Sequence, residues 1–152
     1  MYAYGIIAGG SAANEYERGY KQALPIILHR MKINDLVWAK DGDGIFRLGR
    51  ITSEWYYYSS QANADNEIFN ARKCEWHSVG GQDVVPQGIK DSFKQSTVAS
   101  INADMAIEFS QLIYNAITKN TFYEAFLEAN NLSTDDNRVR EHWHEQYKRF
   151  QI

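Results

Sequence analysis

The chain has 152 residues, of which 44% are hydrophobic and 23% charged, as in an ordinary globular domain, and no stretch reaches the ~20 apolar residues of a membrane span. Its formal net charge of −3 argues against a protein that binds duplex nucleic acid mainly through a generally basic surface. The single cysteine, Cys74, excludes an internal disulfide and predicts a protein of the reducing cytoplasm.

The chain opens with a predicted strand and a predicted helix. Residues 2–8 are apolar and aromatic and end at two glycines, which indicates a buried strand followed by a tight turn. Ser11 comes next and can cap a helix that continues to about Ala23. Pro25 then predicts a kink or a restart, because proline cannot continue the hydrogen-bond pattern of a helix.

A hairpin is the clearest local signal. Apolar residues alternate over Asp35–Lys40, as in a partly buried strand, and the sequence Asp-Gly-Asp-Gly follows at 41–44. Glycine supplies the positive φ that tight hairpin turns need, so a return strand is predicted over Ile45–Trp55. Gly49 within this strand indicates a bulge or a close backbone approach.

Side chains of a strand alternate between its two faces, so the sequence predicts which residues lie on the same face. On the return strand, one face carries Phe46, Leu48 and Arg50 and the other carries Gly49, Ile51 and Trp55. A further strand over Ile68–His77 places Arg72, Cys74 and Trp76 on one face and Lys73, Glu75 and His77 on the other.

The last third of the chain is predicted to be helical. A short helix over Pro86–Phe93 and a strand over Val98–Ile101 precede an apolar stripe at helical spacing: Met105, Phe109, Leu112, Ile113, Ala116 and Ile117. A final helix begins near Ser133–Asp136 and repeats Val139, Trp143, Tyr147 and Phe150 at intervals of about four. We therefore predict an α+β protein with a strand-rich domain at 1–102 and a C-terminal helical extension at 103–152 packed on it.

The sequence offers little for catalysis. Cys74 lies within a predicted strand and is best interpreted as a small apolar filler. His142 and His144 are two residues apart on a helix, where their side chains diverge and cannot share a metal ion. No nucleophile-elbow or phosphate-loop motif is present, so we predict no catalytic residue, no metal, no cofactor and no enzymatic activity.

Aromatic residues and arginines cluster on the predicted strands instead. Rings that meet at one edge of a small sheet either form its core or enclose a flat ligand, and stacking on a base contributes ~1–3 kcal/mol. Arginine can add a phosphate contact, and short polar side chains can bind the edges of a ring. The predicted ligand-binding set is Trp38, Trp55, Tyr57 and Trp76 for stacking, Arg50 and Arg72 for a phosphate, and Asp35 or Ser11 for ring edges.

A family resemblance involves these same residues. The motifs Asp35-Leu36-Val37-Trp38, Leu48-Gly49-Arg50-Ile51, Trp55-Tyr56-Tyr57-Tyr58, Asn70-Ala71-Arg72 and Glu75-Trp76, in this order, resemble PUA-like domains of the EVE type. The likeness covers about residues 2–101 and is greatest to the N-terminal modules of Mrr-type modification-dependent restriction endonucleases. Two positions depart from the pattern: Ile7 stands where arginine is expected, and Asn34 where glycine usually precedes the aspartate.

The resemblance implies a small, strongly curved mixed β-barrel with flanking helices that takes a flipped, modified base into an aromatic cage. The nuclease part of such enzymes has no counterpart here, so a reader without cutting activity is expected. We predict a non-catalytic nucleic-acid binding module, and modified DNA is favoured over RNA as its partner. The alternative is a protein-interaction or regulatory subunit in which residues 131–152 expose Trp143, Tyr147 and Phe150 to a partner or a second copy.

Overall fold

The computed structural model describes residues 3–7, 25–57, 70–94, 98–103, 105–124 and 136–150. Its strands are β1 (Ala3–Ile7), β2 (Leu36–Lys40), β3 (Phe46–Ile51), β4 (Tyr56–Tyr57), β5 (Asn70–Ala71), β6 (Cys74–Gly80) and β7 (Val98–Ser100). Its α-helices are α1 (Gln87–Ser92), α2 (Ala106–Thr118) and α3 (Asn137–Phe150), with a π-helical turn at Ile26–Arg30 and a 3-10 turn at Gln82–Val84. The α+β class is thus confirmed, whereas the predicted helix from Ser11 to Ala23 lies outside the described residues.

Five strands form one mixed sheet in the order β6-β3-β2-β1-β7. Strands β1 and β2 are parallel, and the other neighbouring pairs are antiparallel. Strands β4 and β5 form a separate two-stranded sheet. The described helices include none that is both long and apolar enough to cross a bilayer.

The predicted hairpin joins β2 to β3. The Asp41 carboxylate accepts hydrogen bonds from the backbone N–H groups of Asp43, at 2.9 Å, and Ile45, at 3.0 Å. The bond from Ile45 is the main reason that the pKa of Asp41 is lowered. Gly44 has a φ of +81°, which is the conformation for which glycine is favoured.

Two predicted strands have different bounds from those expected. Strand β3 ends at Ile51, and the Ile68–His77 strand is divided into β5 and β6. Ser53 explains both breaks, because its hydroxyl accepts the backbone N–H of Lys73 at 2.8 Å and replaces a strand-to-strand bond with a side-chain bond. Trp55 consequently lies just before β4 and does not continue the face of β3.

One side of the large sheet, which we call the helix face, packs against α2, and α3 packs on α2 and contributes to the same core. The alternation predicted for β3 is confirmed, since Phe46 and Leu48 belong to this core. Burying each large apolar side chain contributes ~1.5–3 kcal/mol, so this layer dominates the stability of the fold. Its fully buried members include Leu36, Trp38, Phe46, Leu48, Phe109, Leu112 and Ile113.

Helix α3 directs Trp143 and Tyr147 into the helix-face core. Its start is capped by the Asp136 carboxylate, which accepts the backbone N–H of Arg138 at 2.9 Å. Trp143 and Tyr147 are buried, and the Trp143 indole N–H donates to the carbonyl of Val84 at 2.7 Å. The prediction that residues 131–152 expose these two aromatics is therefore wrong; the side chain of Phe150 lies outside the described residues.

The other side of the sheet, which we call the Trp76 face, carries a second and smaller core. Its buried residues are Ile26, Met31, Val37, Ile51 and Val98, with Cys74 packed against them. Cys74 thus faces away from Glu75 and His77, whose side chains contact Tyr114 of α2, and the alternation predicted for β6 is confirmed.

Candidate functional site

Trp76 lies against the backbone of the neighbouring strand. It is opposite Gly49 of β3, and a Cβ added to Gly49 would lie 2.7 Å from Cε3 and 3.0 Å from Cδ2 of the indole ring and would collide with the Sγ of Cys74. The close backbone approach predicted at Gly49 is thereby confirmed. Trp76 nevertheless remains 43% exposed. We call Trp76, with Gly49 beneath it, the Trp76 platform.

A second half-exposed tryptophan lies near the end of the same strand pair. Trp55 is 42% exposed and precedes Tyr56, which pairs with Ala71 of β5. From Arg72, beside this pair, to Trp76 the chain can span at most about 14 Å, which is four residues of extended backbone.

Arg72 fixes the segment that carries Trp55. Its Nε donates to the carbonyl of Ile27 at 2.6 Å, its Nη1 donates to the carbonyl of Ser53 at 3.3 Å, and it pairs with Glu54 at 3.6 Å. The side chain is only 5% exposed. The phosphate contact predicted for Arg72 is corrected accordingly, because its guanidinium is already bound inside the chain and serves to position the loop.

Arg50 is also bound inside the chain, on the helix face. Its Nε donates to the hydroxyl of Tyr114 at 3.0 Å, its Nη1 to the side-chain oxygen of Asn34 at 2.9 Å, and its Nη2 pairs with Glu75 at 3.2 Å. Its guanidinium carbon lies 4.3 Å from the ring centre of Phe122. A phosphate would have to displace several of these partners, so the predicted role of Arg50 is corrected to a structural one.

The side chains around Arg50 favour the ionised forms of both Arg50 and Glu75. Glu75 accepts hydrogen bonds from His77 at 2.9 Å and from Tyr114 at 3.1 Å; the bond from His77 is the main cause of its lowered pKa, and Arg50 adds to it. Burial alone would lower the pKa of Arg50, but the hydrogen bond from its guanidinium to Tyr114 and the charge of Glu75 raise it. The cluster is a closed set of internal contacts that joins β3 and β6 to α2.

Two more predicted ligand-binding residues, Trp38 and Asp35, are buried away from the platform. Trp38 has 0% exposure, and its indole N–H donates to the Ser110 hydroxyl at 2.9 Å. Asp35 is 2% exposed and accepts the backbone N–H of Lys32 at 3.0 Å. Both predictions are corrected, because a ligand cannot reach either side chain. Ser11 and the side chain of Tyr57 lie outside the described residues.

The thiol of Cys74, which lies beside Gly49 and the Trp76 platform, is unreactive. Burial raises the pKa of Cys74 to about 12, so it stays protonated at neutral pH and is a poor nucleophile. Within the described ranges, no group of three or more histidine, cysteine, aspartate or glutamate residues is arranged to hold a metal ion.

The structure also contains a surface groove that the sequence did not predict. A groove with a volume of about 340 Å³ is lined by Lys40, Phe46, Gln82, Gln87, Lys90, Phe93 and Lys94. We call it the lysine groove. Lys90 lies in the predicted Pro86–Phe93 helix and Lys94 follows one residue after its end, and this spacing of four was the available signal; the approach of Lys40 from β2 had none.

Comparison of the chain with protein-family models, with curated proteins and with solved structures finds no match. The resemblance of residues 2–101 to PUA-like domains therefore stays a prediction that depends on the order of its motifs.

Proposed function

We propose that this chain is a non-catalytic nucleic-acid reader that stacks a flipped, modified nucleobase of DNA on the Trp76 platform. The observation that carries the proposal is the half-exposed indole of Trp76, held against the backbone of β3 at Gly49. Tryptophan gains most from complete burial, so a rigidly supported ring with an accessible surface is a feature of ligand-binding and interface sites.

The platform is pre-organised for a flat ligand. An indole has few rotatable bonds, and contact with the β3 backbone at Gly49 restricts them further. A ligand that stacks on a ring already in place does not pay the entropy of ordering it. Stacking of one base on such a ring contributes ~1–3 kcal/mol.

The proposed cage is smaller than the one the sequence predicted. Trp76 provides the platform, and Trp55 and Tyr57 are the remaining aromatic candidates, while Trp38 belongs to the core. The preference for a modified base, its flipping and the choice of DNA come from the family resemblance. The net charge of −3 fits a reader that depends on a base contact more than on a uniformly basic surface.

Asn34 supports the resemblance at a position where the sequence departs from the family pattern. Its φ is +75°, a left-handed conformation that glycine adopts freely and that asparagine tolerates better than most residues. Replacing the usual glycine by asparagine thus preserves the backbone before Asp35. We include in the proposal a PUA-like barrel, of which the five-stranded sheet is the described part, and a cytoplasmic location.

Fluorescence titration with two oligonucleotides of one sequence, one carrying a modified base, tests the proposal. We expect tighter binding of the modified strand, and a loss of about 5- to 150-fold in Trp76→Ala, equivalent to ~1–3 kcal/mol of stacking. Phe122→Ala is the matched control, since Phe122 is an equally exposed aromatic (42%) beside Arg50 of the helix face. Equal and weak binding of both oligonucleotides that salt abolishes would argue against a base-reading site.

A further inference from the structure

Arg47 lies beside the Trp76 platform on the same face of the sheet. It is two residues before Gly49 on β3, and the Leu48 side chain between them belongs to the helix-face core. Because side chains of a strand alternate, Arg47 points to the Trp76 face, about 7 Å along the strand from Gly49. Across the sheet, Arg47 is opposite Ser78, which is two residues beyond Trp76 on β6. A guanidinium and an indole thus project side by side from neighbouring strands.

The residues that border Arg47 on this face have small side chains. Its neighbours across the sheet are Ala39 on β2 and Ser78 on β6, and the next position of β3 on this face is Gly49. The Arg47 side chain remains 45% exposed. A ligand that stacks on Trp76 can therefore extend over the sheet towards an accessible guanidinium.

Arg47 is oriented by internal contacts and still has donors for a ligand. Its Nη1 donates to the Ser78 hydroxyl at 2.9 Å, and its Nη2 pairs with Asp41 at 3.3 Å. A guanidinium has more N–H groups than these two bonds use. Arg50 and Arg72, by contrast, are enclosed by their partners, with side chains that are 17% and 5% exposed.

Asp41 can release Arg47 and keep its role in the hairpin turn. Its Oδ1 accepts the backbone N–H groups of Asp43 and Ile45, whereas Arg47 contacts the other oxygen, Oδ2. The ion pair is exposed and therefore contributes little, so a more highly charged anion can replace the carboxylate. Until then the pair holds Arg47 in a defined position, which reduces the conformational entropy that a ligand must restrict.

We propose that Arg47, oriented by the Ser78 hydroxyl, binds the backbone phosphate of the nucleotide whose base stacks on Trp76; this inference rests on the proposed function. Arginine suits this role because its planar fork binds two phosphate oxygens at once. A sugar ring separates the base of a nucleotide from its phosphate, and the distance of about 7 Å between Gly49 and Arg47 provides room for it. The platform selects the base, and Arg47 adds affinity that does not depend on base identity.

The test is the salt dependence of oligonucleotide binding by Arg47→Gln. One phosphate contact contributes ~0.9 to the slope of log affinity against log salt on duplex DNA, so we expect the slope to fall by about 0.9. At 0.1 M salt this corresponds to binding that is about eightfold weaker, equally for the modified and the unmodified oligonucleotide. Arg47→Lys keeps the charge without the fork, so it should retain most of the slope and lose part of the affinity.

Asp41→Asn provides a test with the opposite sign. Its amide oxygen can still accept the turn bonds from Asp43 and Ile45, but the charge that competes for Arg47 is removed. We expect binding to tighten by up to about fivefold in the otherwise wild-type chain, and by less in Arg47→Gln. An equal gain in both backgrounds would contradict the exchange of Asp41 for a phosphate.

Arg140→Gln is the matched control, because it removes the same charge from an exposed arginine of α3, away from the Trp76 face. An equal loss of slope in Arg47→Gln and Arg140→Gln would indicate a general charge effect and overturn the proposal. An unchanged slope in Arg47→Gln, while Trp76→Ala still loses binding, would overturn the role of Arg47 and leave the reader intact. Wild-type protein that binds no oligonucleotide would overturn both.

Discussion

The two faces of the central sheet use tryptophan in opposite ways. On the helix face, Trp38 and Trp143 are buried, and each indole N–H has a partner inside the chain, the Ser110 hydroxyl and the Val84 carbonyl. On the Trp76 face, Trp76 remains 43% exposed, and Trp55, between β3 and β4, is 42% exposed. The same side chain thus serves as core on one side and as accessible surface on the other, and the covering helices decide which.

The register of β3 with its neighbours β2 and β6 places one tryptophan on each face of the sheet. Leu48 lies opposite Trp38 on one side and His77 on the other, whereas Gly49 lies opposite Trp76. Because adjacent residues of a strand point to opposite faces, a shift of one position would exchange the two environments. Gly49 adds the space that lets the Trp76 ring approach the backbone.

The largest expected effect on stability comes from truncating the buried side chain of Trp38. Trp38→Ala should destabilise the fold by about 3–5 kcal/mol, because it leaves a large cavity in the helix-face core. Trp76→Ala should lower the free energy of unfolding by only about 1 kcal/mol, since much of that ring is already in water. Urea unfolding of both variants measures the contrast, and equal losses would remove the distinction between the two faces.

A change at Gly49 should have an intermediate effect. In Gly49→Ala the new Cβ would collide with Cys74 and Trp76, so we expect a loss of about 1–3 kcal/mol from overpacking. Cys74→Ala in the same chain should restore part of this stability by removing one of the colliding atoms.

Gly42→Ala is the control for that experiment, because a Cβ at Gly42 meets nothing within 4 Å. It should change stability by no more than about 0.5 kcal/mol. If Gly49→Ala were equally neutral, the contact between the Trp76 ring and β3 would be looser than described.

The smallest effect is expected at Glu75 and depends on pH. The hydrogen bond from His77 and the charge of Arg50 lower the pKa of Glu75 below its ordinary value of 4.5, so its contribution to stability is present above that pH. It is lost as the pH falls through the lowered pKa. Glu75→Gln should therefore be less stable than wild type at pH 7 by under ~1 kcal/mol.

This difference should shrink at acid pH, once the pH has fallen through the lowered pKa of Glu75 and both chains carry an uncharged side chain at this position. Urea unfolding at the two pH values measures it. A gap of the same size at both would mean that Glu75 contributes through shape alone, and the charged cluster on the helix face would lose its role.

Much of the architecture could be predicted because its signals are local. The Asp-Gly-Asp-Gly turn, the alternation on β3 and β6, and the four-residue spacing of Val139, Trp143 and Tyr147 each depend on a few neighbouring residues. Strand ends were less predictable, because a single hydroxyl, that of Ser53, ends two of them.

The site was predicted only in part, for a physical reason. Alternation assigns Trp38 and Trp76 to their strands, but only tertiary packing reveals that α2 covers Trp38, whose indole N–H bonds Ser110 of that helix. The partners of the arginines could not be predicted from local sequence either. Arg50 donates a hydrogen bond to Tyr114, 64 residues away, and Arg72 donates one to the carbonyl of Ile27, 45 residues away. Long polar side chains choose distant partners that no local pattern specifies.

The four indole N–H signals in a nitrogen–proton NMR spectrum test the central claim most directly, since the chain has four tryptophans, two buried and two half-exposed. On titration with an oligonucleotide that carries a modified base, the signal of Trp76, identified by its loss in Trp76→Phe, should shift. Those of Trp38 and Trp143 should stay in place, because Ser110 and Val84 hold them inside the core. A titration that shifts the two buried signals, or that binds the oligonucleotide and leaves Trp76 unchanged, would contradict the account.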